Sequence, residues 1–381
     1  MEEVTRVAFV TTFCPHHREQ TFETLSKYHD VDFYFFSEGS EWYWQREHGV
    51  KTGNFRHQYL WGFSLGRTRV TPSLLPRLWR GKYDVYIKCI NGRFALPATY
   101  LVTRLLRRRF VLWTGIWMRL QTPAHRLAFP LTRFMYRHAD AIVTYGEHVK
   151  RYLITEGVDP KRIFVAPHAV DNSSYVGSVP EENVQALRVK LGIPPGKKVV
   201  LYLGRLEPIK GLRYLVDAFA SLRRTDAVLV LAGTGAERGE LESTARERGV
   251  LESVVFPGYV ATDAAVTYYA LARVCVLPSI TLPVGKELWG LVINEAMNQG
   301  VPVIASDAVG AAAGGLVQDG VNGFVVPERN PSVLADRIRK VLDDPALHKR
   351  LSAGARGTIA SWDNEAMVAG FRAAIEFVTI R

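Results

Sequence analysis

The 381-residue sequence predicts an α/β protein of two Rossmann-like, doubly wound domains facing a cleft, and three observations carry that reading. Short apolar, β-branched runs alternate with helical stretches as far as Pro167, a polar and turn-rich segment interrupts them, and a second alternating series follows. Strands that are apolar throughout and separated by helices indicate parallel sheets covered on both faces.

In the first series the predicted strands are Val7 to Val10, Val31 to Phe36, Val85 to Ile87, Phe110 to Trp113, Ala141 to Val143 and Ile163 to Val165. The stretch Asp171-Asn-Ser-Ser-Tyr-Val-Gly-Ser-Val-Pro-Glu-Glu reads as the interdomain connection. Beyond it come Val199 to Leu203, Val228 to Leu231, Val254 to Phe256, Val274 to Leu277, Val303 to Ala305 and Phe324 to Val326. The expected domains are 1–180 and 181–360, with a closing segment 361–381 that holds an amphipathic helix from Asn364 to Val378.

Composition narrows the class. A chain 48% hydrophobic and 11% aromatic fills ordinary globular cores, which argues against disorder along its length. Cys14, Cys89 and Cys275 have neither zinc spacing nor a disulfide framework, so a reducing cytoplasm is the expected setting. The first residues lack the charged start and long apolar core of a secretion signal, and no apolar run is long enough to span a bilayer. Net charge is +11, and residues 51–139 alone hold 17 basic side chains against one acid, Asp84. That half of the chain is built for an anionic partner.

Candidate chemistry lies in the second half. Between Ser279 and Ser306, Glu287 sits in a loop and Glu295 on the helix predicted from Gly290 to Gln299, with apolar positions at Val292, Ile293, Ala296 and Met297 and a stop at Gly300. Unpaired N–H groups around Trp289, Gly290 and Leu291 would suit a phosphate or diphosphate between the two acids. Upstream, Gly204-Arg205-Leu-Glu-Pro-Ile-Lys210-Gly211 brings two cations to the carboxyl edge of a sheet, where open α/β sheets bind ligands. Arg205 can hold phosphate oxygens in a fork and Lys210 adds a point charge. Gly233-Thr-Gly235 is by itself no more than a tight strand-to-helix turn.

Glu287-Leu-Trp-Gly-Leu-Val-Ile-Asn-Glu295-Ala-Met resembles the signature of the retaining glycosyltransferases of family 4, a Glu, seven residues and a second Glu. Gly204-Arg205-Leu with Lys210-Gly211, the turn Gly233 to Gly235, Val255-Phe-Pro-Gly258-Tyr259-Val260, Leu277-Pro-Ser279 and Ser361-Trp362 resemble its further landmarks, in order. The resemblance implies the GT-B arrangement, with the last helix crossing back to the first domain. It implies a nucleotide-sugar site of Gly204, Arg205, Lys210, Gly233, Gly235, Gly258, Tyr259, Val260, Glu287, Leu288, Trp289, Gly290, Leu291 and Glu295. Within it Glu287 would lie against the donor sugar, Glu295 would bond the ribose, and Arg205 and Lys210 would take the diphosphate. The catalytic set is then Glu287, Arg205 and Lys210, with no metal and no cofactor beyond the donor substrate. A UDP-sugar and a GDP-sugar fit equally. Trp362 is expected to be an exposed packing residue.

The first half departs from the family pattern. Its first loop, Thr11-Thr-Phe-Cys-Pro-His-His, has no glycine, and Thr114-Gly-Ile-Trp-Met replaces the usual His after the strand ending at Trp113. His16, His17 and Gly115 are therefore the candidate sugar or acceptor contacts. Gly315 stands where the family commonly carries a Glu. These departures keep two alternatives open, a non-catalytic nucleotide-binding relative acting as a partner protein and a nucleotide-sugar epimerase of the same fold. The acceptor, a small molecule, a glycan or a lipid-linked group, would sit on the basic first domain. The basic residues alternate with large apolar ones, which suits either peripheral contact with an anionic membrane on its inner face or core helices with solvated basic sides. Nucleic acid ranks last as a partner, for want of a recognisable binding module.

Overall fold

A computed structural model describes residues 5–37, 53–66 and 68–380; Lys51, Thr52 and Arg67 of the basic segment lie outside the described residues. The chain divides into two compact units. One comprises Met1–Trp117, Ala124–Ala169 and Asp363–Arg381, the other Met118–Pro123 and Val170–Trp362. The division falls at Ala169, ahead of the polar connection, because Asn172 already bonds to the carbonyl oxygens of Ile359 and Trp362 in the second unit.

The first unit contains β1 (Arg6–Thr11), β2 (Asp30–Phe35), β3 (His57–Tyr59), β4 (Phe63–Leu65), β5 (Thr68–Val70), β6 (Val85–Cys89), β7 (Arg109–Thr114), β8 (Ala141–Thr144) and β9 (Ile163–Val165). Seven of these form a parallel sheet ordered β3-β2-β1-β6-β7-β8-β9, while β4 and β5 pair as a separate antiparallel hairpin. All six strands expected here are present; β3 and the hairpin are additions of three residues each, too short to show an apolar run. Helices α1 (Glu19–Tyr28), α2 (Leu74–Arg80), α3 (Ala95–Leu105), α4 (Pro123–His138) and α5 (Glu147–Thr155) connect the strands. Phe9 anchors the core, with Phe22, Phe33, Trp113 and Phe371 at ring distances of 5.3 to 5.6 Å. Phe371 comes from the closing helix Asn364–Thr379, whose first turn is capped by Asp363 accepting from the Ala366 N–H at 2.8 Å.

The second unit contains β10 (Lys198–Leu203), β11 (Ala227–Ala232), β12 (Val254–Gly258), β13 (Val274–Leu277), β14 (Val303–Ser306) and β15 (Gly323–Val326), all parallel in the order β12-β11-β10-β13-β14-β15. Pro257 is tolerated because β12 is an edge strand. The connecting helices are α6 (Glu181–Lys190), α7 (Leu212–Ser221), α8 (Arg238–Glu247), α9 (Thr262–Leu271), α10 (Val292–Asn298), α11 (Gly310–Ala313), α12 (Pro331–Asp343) and α13 (Pro345–Ile359). From β10 the chain proceeds to β11 on one side; from β13 it proceeds to β14 on the other. The carboxyl ends of β10 and β13 therefore flank a topological switch point, where ligand crevices form in such sheets. Lys210 follows the first of these strands and Glu287 the second.

Candidate functional site

The floor of the switch point is made by three adjacent strand ends stitched together through their backbones. The Gly204 N–H donates to Ala232 O at 2.9 Å, Leu206 N–H to Thr234 O at 2.8 Å, and Gly233 N–H to Gly258 O at 2.8 Å. Gly233 is required twice over: its φ is +140°, and an added Cβ would stand 1.8 Å from the Gly204 carbonyl oxygen. Tyr202, fully buried beneath, donates its hydroxyl to Arg205 O at 2.6 Å and fixes the loop's course.

Lys210 and Glu287, 77 residues apart, meet here as an ion pair. The two loops are joined by Ile280 N–H donating to Ile209 O at 2.8 Å. The Ser279 hydroxyl donates to the same carboxylate oxygen at 3.2 Å, and the buried Ser306 hydroxyl bonds to Ser279 O. Burial pushes the Glu287 carboxyl up, but the Lys210 charge, the Lys210 and Ser279 hydrogen bonds and the Arg205 charge outweigh it and hold the pKa below its ordinary 4.5. Glu287 is thus ionised at neutral pH, a hydrogen-bond acceptor rather than an acid. Arg205 is paired with Glu207 at 2.5 Å.

The loop after Glu287 departs from expectation in two ways. Helix α10 begins at Val292, not at Gly290, because Gly290 has a φ of +94° and breaks the helical path. That angle favours glycine, and an added Cβ would press on Leu277 Cδ2 at 2.5 Å. Trp289, expected in the donor site, is 2% exposed: its indole N–H donates to Asn294 Oδ1 at 2.8 Å and its ring stacks on Trp362 at 5.5 Å. Only its backbone can face a ligand. Trp362 is accordingly half-buried rather than exposed, because the second tryptophan covers it. The loop is fixed by Gly310 N–H donating to Glu287 O at 3.1 Å and Ala311 N–H to Trp289 O at 2.8 Å.

Glu295 projects from α10 to accept a hydrogen bond from the Tyr269 hydroxyl at 2.6 Å. Burial raises its pKa, against the hydrogen bonds from Tyr269 and Tyr175 that lower it. Tyr259 and Leu288 are exposed, and Val260 is partly so. The second unit therefore gathers Gly204, Arg205, Lys210, Gly233, Gly258 and Glu287 around its switch point, with Gly235 behind them, packed on Leu206 O. Sequence reasoning missed the supports: Ser279 was legible only as a landmark, and Tyr269 carried no sign of its role. Glu328, which accepts from both the N–H and the hydroxyl of Thr281, gave no signal at all.

In the first unit, His16 and His17 form a short helical turn after β1, their rings 5.3 Å apart. His17 also lies 5.8 Å from the buried His168 ring. Beside them Arg18, 4% exposed, is stacked over Trp113 and Tyr145 at 4.4 and 5.4 Å and contacts His168 Nε2 at 3.1 Å. Burial, Arg18 and His17 together hold the His168 pKa well below 6.5, which keeps that ring neutral. Gly115 packs on Tyr145, where a Cβ would stand 2.5 Å from the ring. Among the described residues no group of three or more His, Cys, Asp or Glu could hold a metal ion.

Residues 183–358 match the family model for glycosyl transferases group 1, and residues 11–174 that for glycosyltransferase family 4. A D-inositol 3-phosphate glycosyltransferase of Xylanimonas cellulosilytica is 34% identical over 239 residues, 60% of this chain and 55% of that protein. The alpha-D-kanosaminyltransferase of Streptomyces kanamyceticus is 34% identical over 171 residues, 44% and 42% of the two chains. The match spans about half the length of these curated relatives. Among solved structures, Anabaena HepE in complex with UDP superposes with a TM-score of 0.77 at 22% identity, covering 98% of this chain and 100% of that one. WaaG, a glycosyltransferase involved in lipopolysaccharide biosynthesis, gives 0.72 at 19%, covering 98% and 99%. At such identities the likeness is one of fold.

Proposed function

The chain belongs to the family 4 glycosyltransferases of GT-B fold, and from that premise we propose that it moves a sugar, with retention of configuration, from a nucleoside-diphosphate-sugar to an acceptor. The observation that carries this reading is the convergence of Lys210, Arg205 and an ionised Glu287 at the switch point of the second unit. Two cations and the loop at Gly290 suit the charge that grows on a leaving diphosphate, with no metal required. Glu287, kept ionised, accepts hydrogen bonds from sugar hydroxyls and orients the ring. The acceptor attacks from the face the diphosphate leaves, and the departing phosphate oxygen takes the acceptor's proton. Glu295, fixed by Tyr269, is the partner for the ribose hydroxyls.

Anabaena HepE has been solved with UDP and with UDP-glucose, which supports a nucleoside diphosphate as the donor's leaving group. The acceptor is a small molecule, a glycan or a lipid-linked group. A thermal-shift screen of UDP, GDP and their sugars tests the reading, since a ligand bound only to the native state raises its melting temperature. Stabilisation by one base series, followed by turnover of its sugar, is expected. Stabilisation without turnover would make the chain a binding relative, interconversion of the free nucleotide-sugar would make it an epimerase, and no stabilisation by any of them would remove the site.

A further inference from the structure

The first unit carries a cavity at the amino-terminal edge of its sheet, the edge opposite to the one where His16 and His17 follow β1. It measures about 180 Å³ and is lined by Arg109, Asp140, Arg162, Phe377 and Val378. Arg109 opens β7, Asp140 and Arg162 directly precede β8 and β9, and Phe377 and Val378 stand in the last turn of the closing helix. Register puts the two arginines on one face. Val111 pairs with Ala141 and Ile142 with Ile163, so Arg109, Val111, Ala141 and Arg162 alternate onto the same side. Val111 and Ala141 share a core cluster with Phe371, Ala374 and Val378 of the closing helix, which marks that side as the one this helix covers. Two strand spacings, roughly 10 Å, separate β7 from β9, and the strand between them offers only the Ala141 methyl there, so both guanidinium groups reach a common centre.

The charge in this cavity is positive and uncompensated. The Arg109 backbone N–H donates to Asp84 O at 3.3 Å, but among the described residues its guanidinium has neither an ion pair nor a hydrogen bond. Arg162 has only carbonyl partners for its side chain, Nη1 donating to Arg137 O at 3.0 Å and to Ala139 O at 3.1 Å. The acid is committed elsewhere: Asp140 Oδ2 is paired with Arg104 Nη1 at 2.9 Å and accepts from the Phe110 N–H at 2.7 Å. A cation would face two arginines here, and an apolar ligand would find one apolar wall, Phe377 with Val378. The volume lies below the roughly 300 Å³ at which pockets begin to hold drug-sized molecules, which points to a ligand smaller than a nucleotide. A small anion between two guanidinium forks meets every one of these conditions, and arginine binds phosphate oxygens in that way.

We propose that this cavity is a second anion site, held by Arg109 and Arg162, for inorganic phosphate or the phosphate group of a small monoester. It lies on a different unit from Arg205 and Lys210 and is independent of the donor chemistry proposed above. A bound phosphate would fill the space between the starts of β7 and β9 and the end of the closing helix, and would give Arg109 the partner it lacks.

Calorimetric titration of the full chain with inorganic phosphate and with glycerol 3-phosphate, at constant ionic strength and without nucleotide, tests it. Saturable binding is expected, and the tighter of the two ligands tells whether the site is shaped for the free ion or for an ester. Loss of one charge-assisted fork should weaken it about tenfold or more in Arg109→Gln and in Arg162→Gln. Because the Arg109 guanidinium holds no other group, Arg109→Gln should melt with the parent in the absence of phosphate. Lys210→Ala should retain the saturable site. The general stabilisation that phosphate gives proteins by exclusion from their surfaces would be equal in parent and variants. No saturable binding below about 10 mM, or unchanged binding in Arg109→Gln, would overturn the proposal. So would binding that Lys210→Ala abolishes and Arg109→Gln keeps, which would assign the phosphate to the second unit.

Discussion

Replacing Lys210 with Ala separates what the ammonium does for the fold from what it does for a ligand. In the protein it neutralises Glu287, with the two side chains 13% and 15% exposed. Removing one member of a fully buried pair costs about 3–5 kcal/mol; at this residual exposure about 2–3 kcal/mol is expected. For a domain of this size that lowers the melting temperature by roughly 2–4 °C per kcal/mol. The pH dependence has a definite sign. In the parent the Glu287 pKa is depressed, so the pair's contribution is present above the ordinary 4.5 and is lost as pH falls through the folded value. In the variant only the Ser279 hydrogen bond and the Arg205 charge are left to oppose burial, so the depression shrinks, and the stability gap is widest at neutral pH and closes on acidification. For the ligand, an ammonium about 4 Å from a diphosphate oxygen is worth up to about 4 kcal/mol at an effective dielectric near 20, and loss of one such group lowers kcat/KM by about 10²–10³. The assay is a pair of variants. Lys210→Ala with Glu287→Gln removes the orphaned charge and should regain most of the melting temperature, yet transfer should be no higher than in the single variant, since Glu287 itself orients the sugar. A double variant as active as the parent would show that Lys210 serves only to neutralise Glu287 and holds no phosphate.

Two further outcomes follow from the same geometry. Glu295→Gln should melt no lower than the parent at neutral pH: the carboxyl's folded pKa is raised, so whatever it contributes is present below 4.5 and lost as pH rises through the folded value, and the variant's advantage should disappear in acid. Its nucleotide affinity, read by calorimetry, should nevertheless fall by about 1–2 kcal/mol, the worth of a charged hydrogen bond to ribose. Gly233→Ala should be among the most damaging single-methyl additions to the second unit, because the Cβ meets backbone 1.8 Å away and the φ is +140°. A loss of about 3 kcal/mol or more is expected by denaturant titration, and a loss under about 1 kcal/mol would show that the strand-end loops do not hold one another.

The longer parallel strands were legible as apolar runs, the position of Lys210 because a strand end followed by glycine marks the functional edge of such a sheet, and that of Glu287 because it precedes a helix that carries a second Glu at a defined spacing. Their pairing was not, since 77 residues separate them and only the strand order β10-β13 makes them neighbours. Trp289 and Trp362 illustrate the converse. Nothing local told that their rings stack on each other, burying Trp289 and half-burying Trp362. The helix boundary at Val292 rather than Gly290 turned on a backbone angle that glycine permits but does not announce. In the first unit, β3 and the hairpin β4–β5 left no periodic signal in three residues apiece, and α4 turns Leu127, Leu131 and Phe134 outward with the spacing of an ordinary core helix. Periodicity gives a face; only packing gives its direction.

Arg205 and Lys210 are proposed to hold a nucleoside diphosphate at the switch point without a metal. Calorimetric titration of the chain with UDP and with GDP, in the presence of a chelator, tests it most directly. Saturable binding of one of them is expected, weakened at least tenfold in Arg205→Ala and in Lys210→Ala and not reproduced by the corresponding nucleoside, which lacks phosphates. Binding that requires added divalent cation, or that is the same in parent and variants, would contradict it.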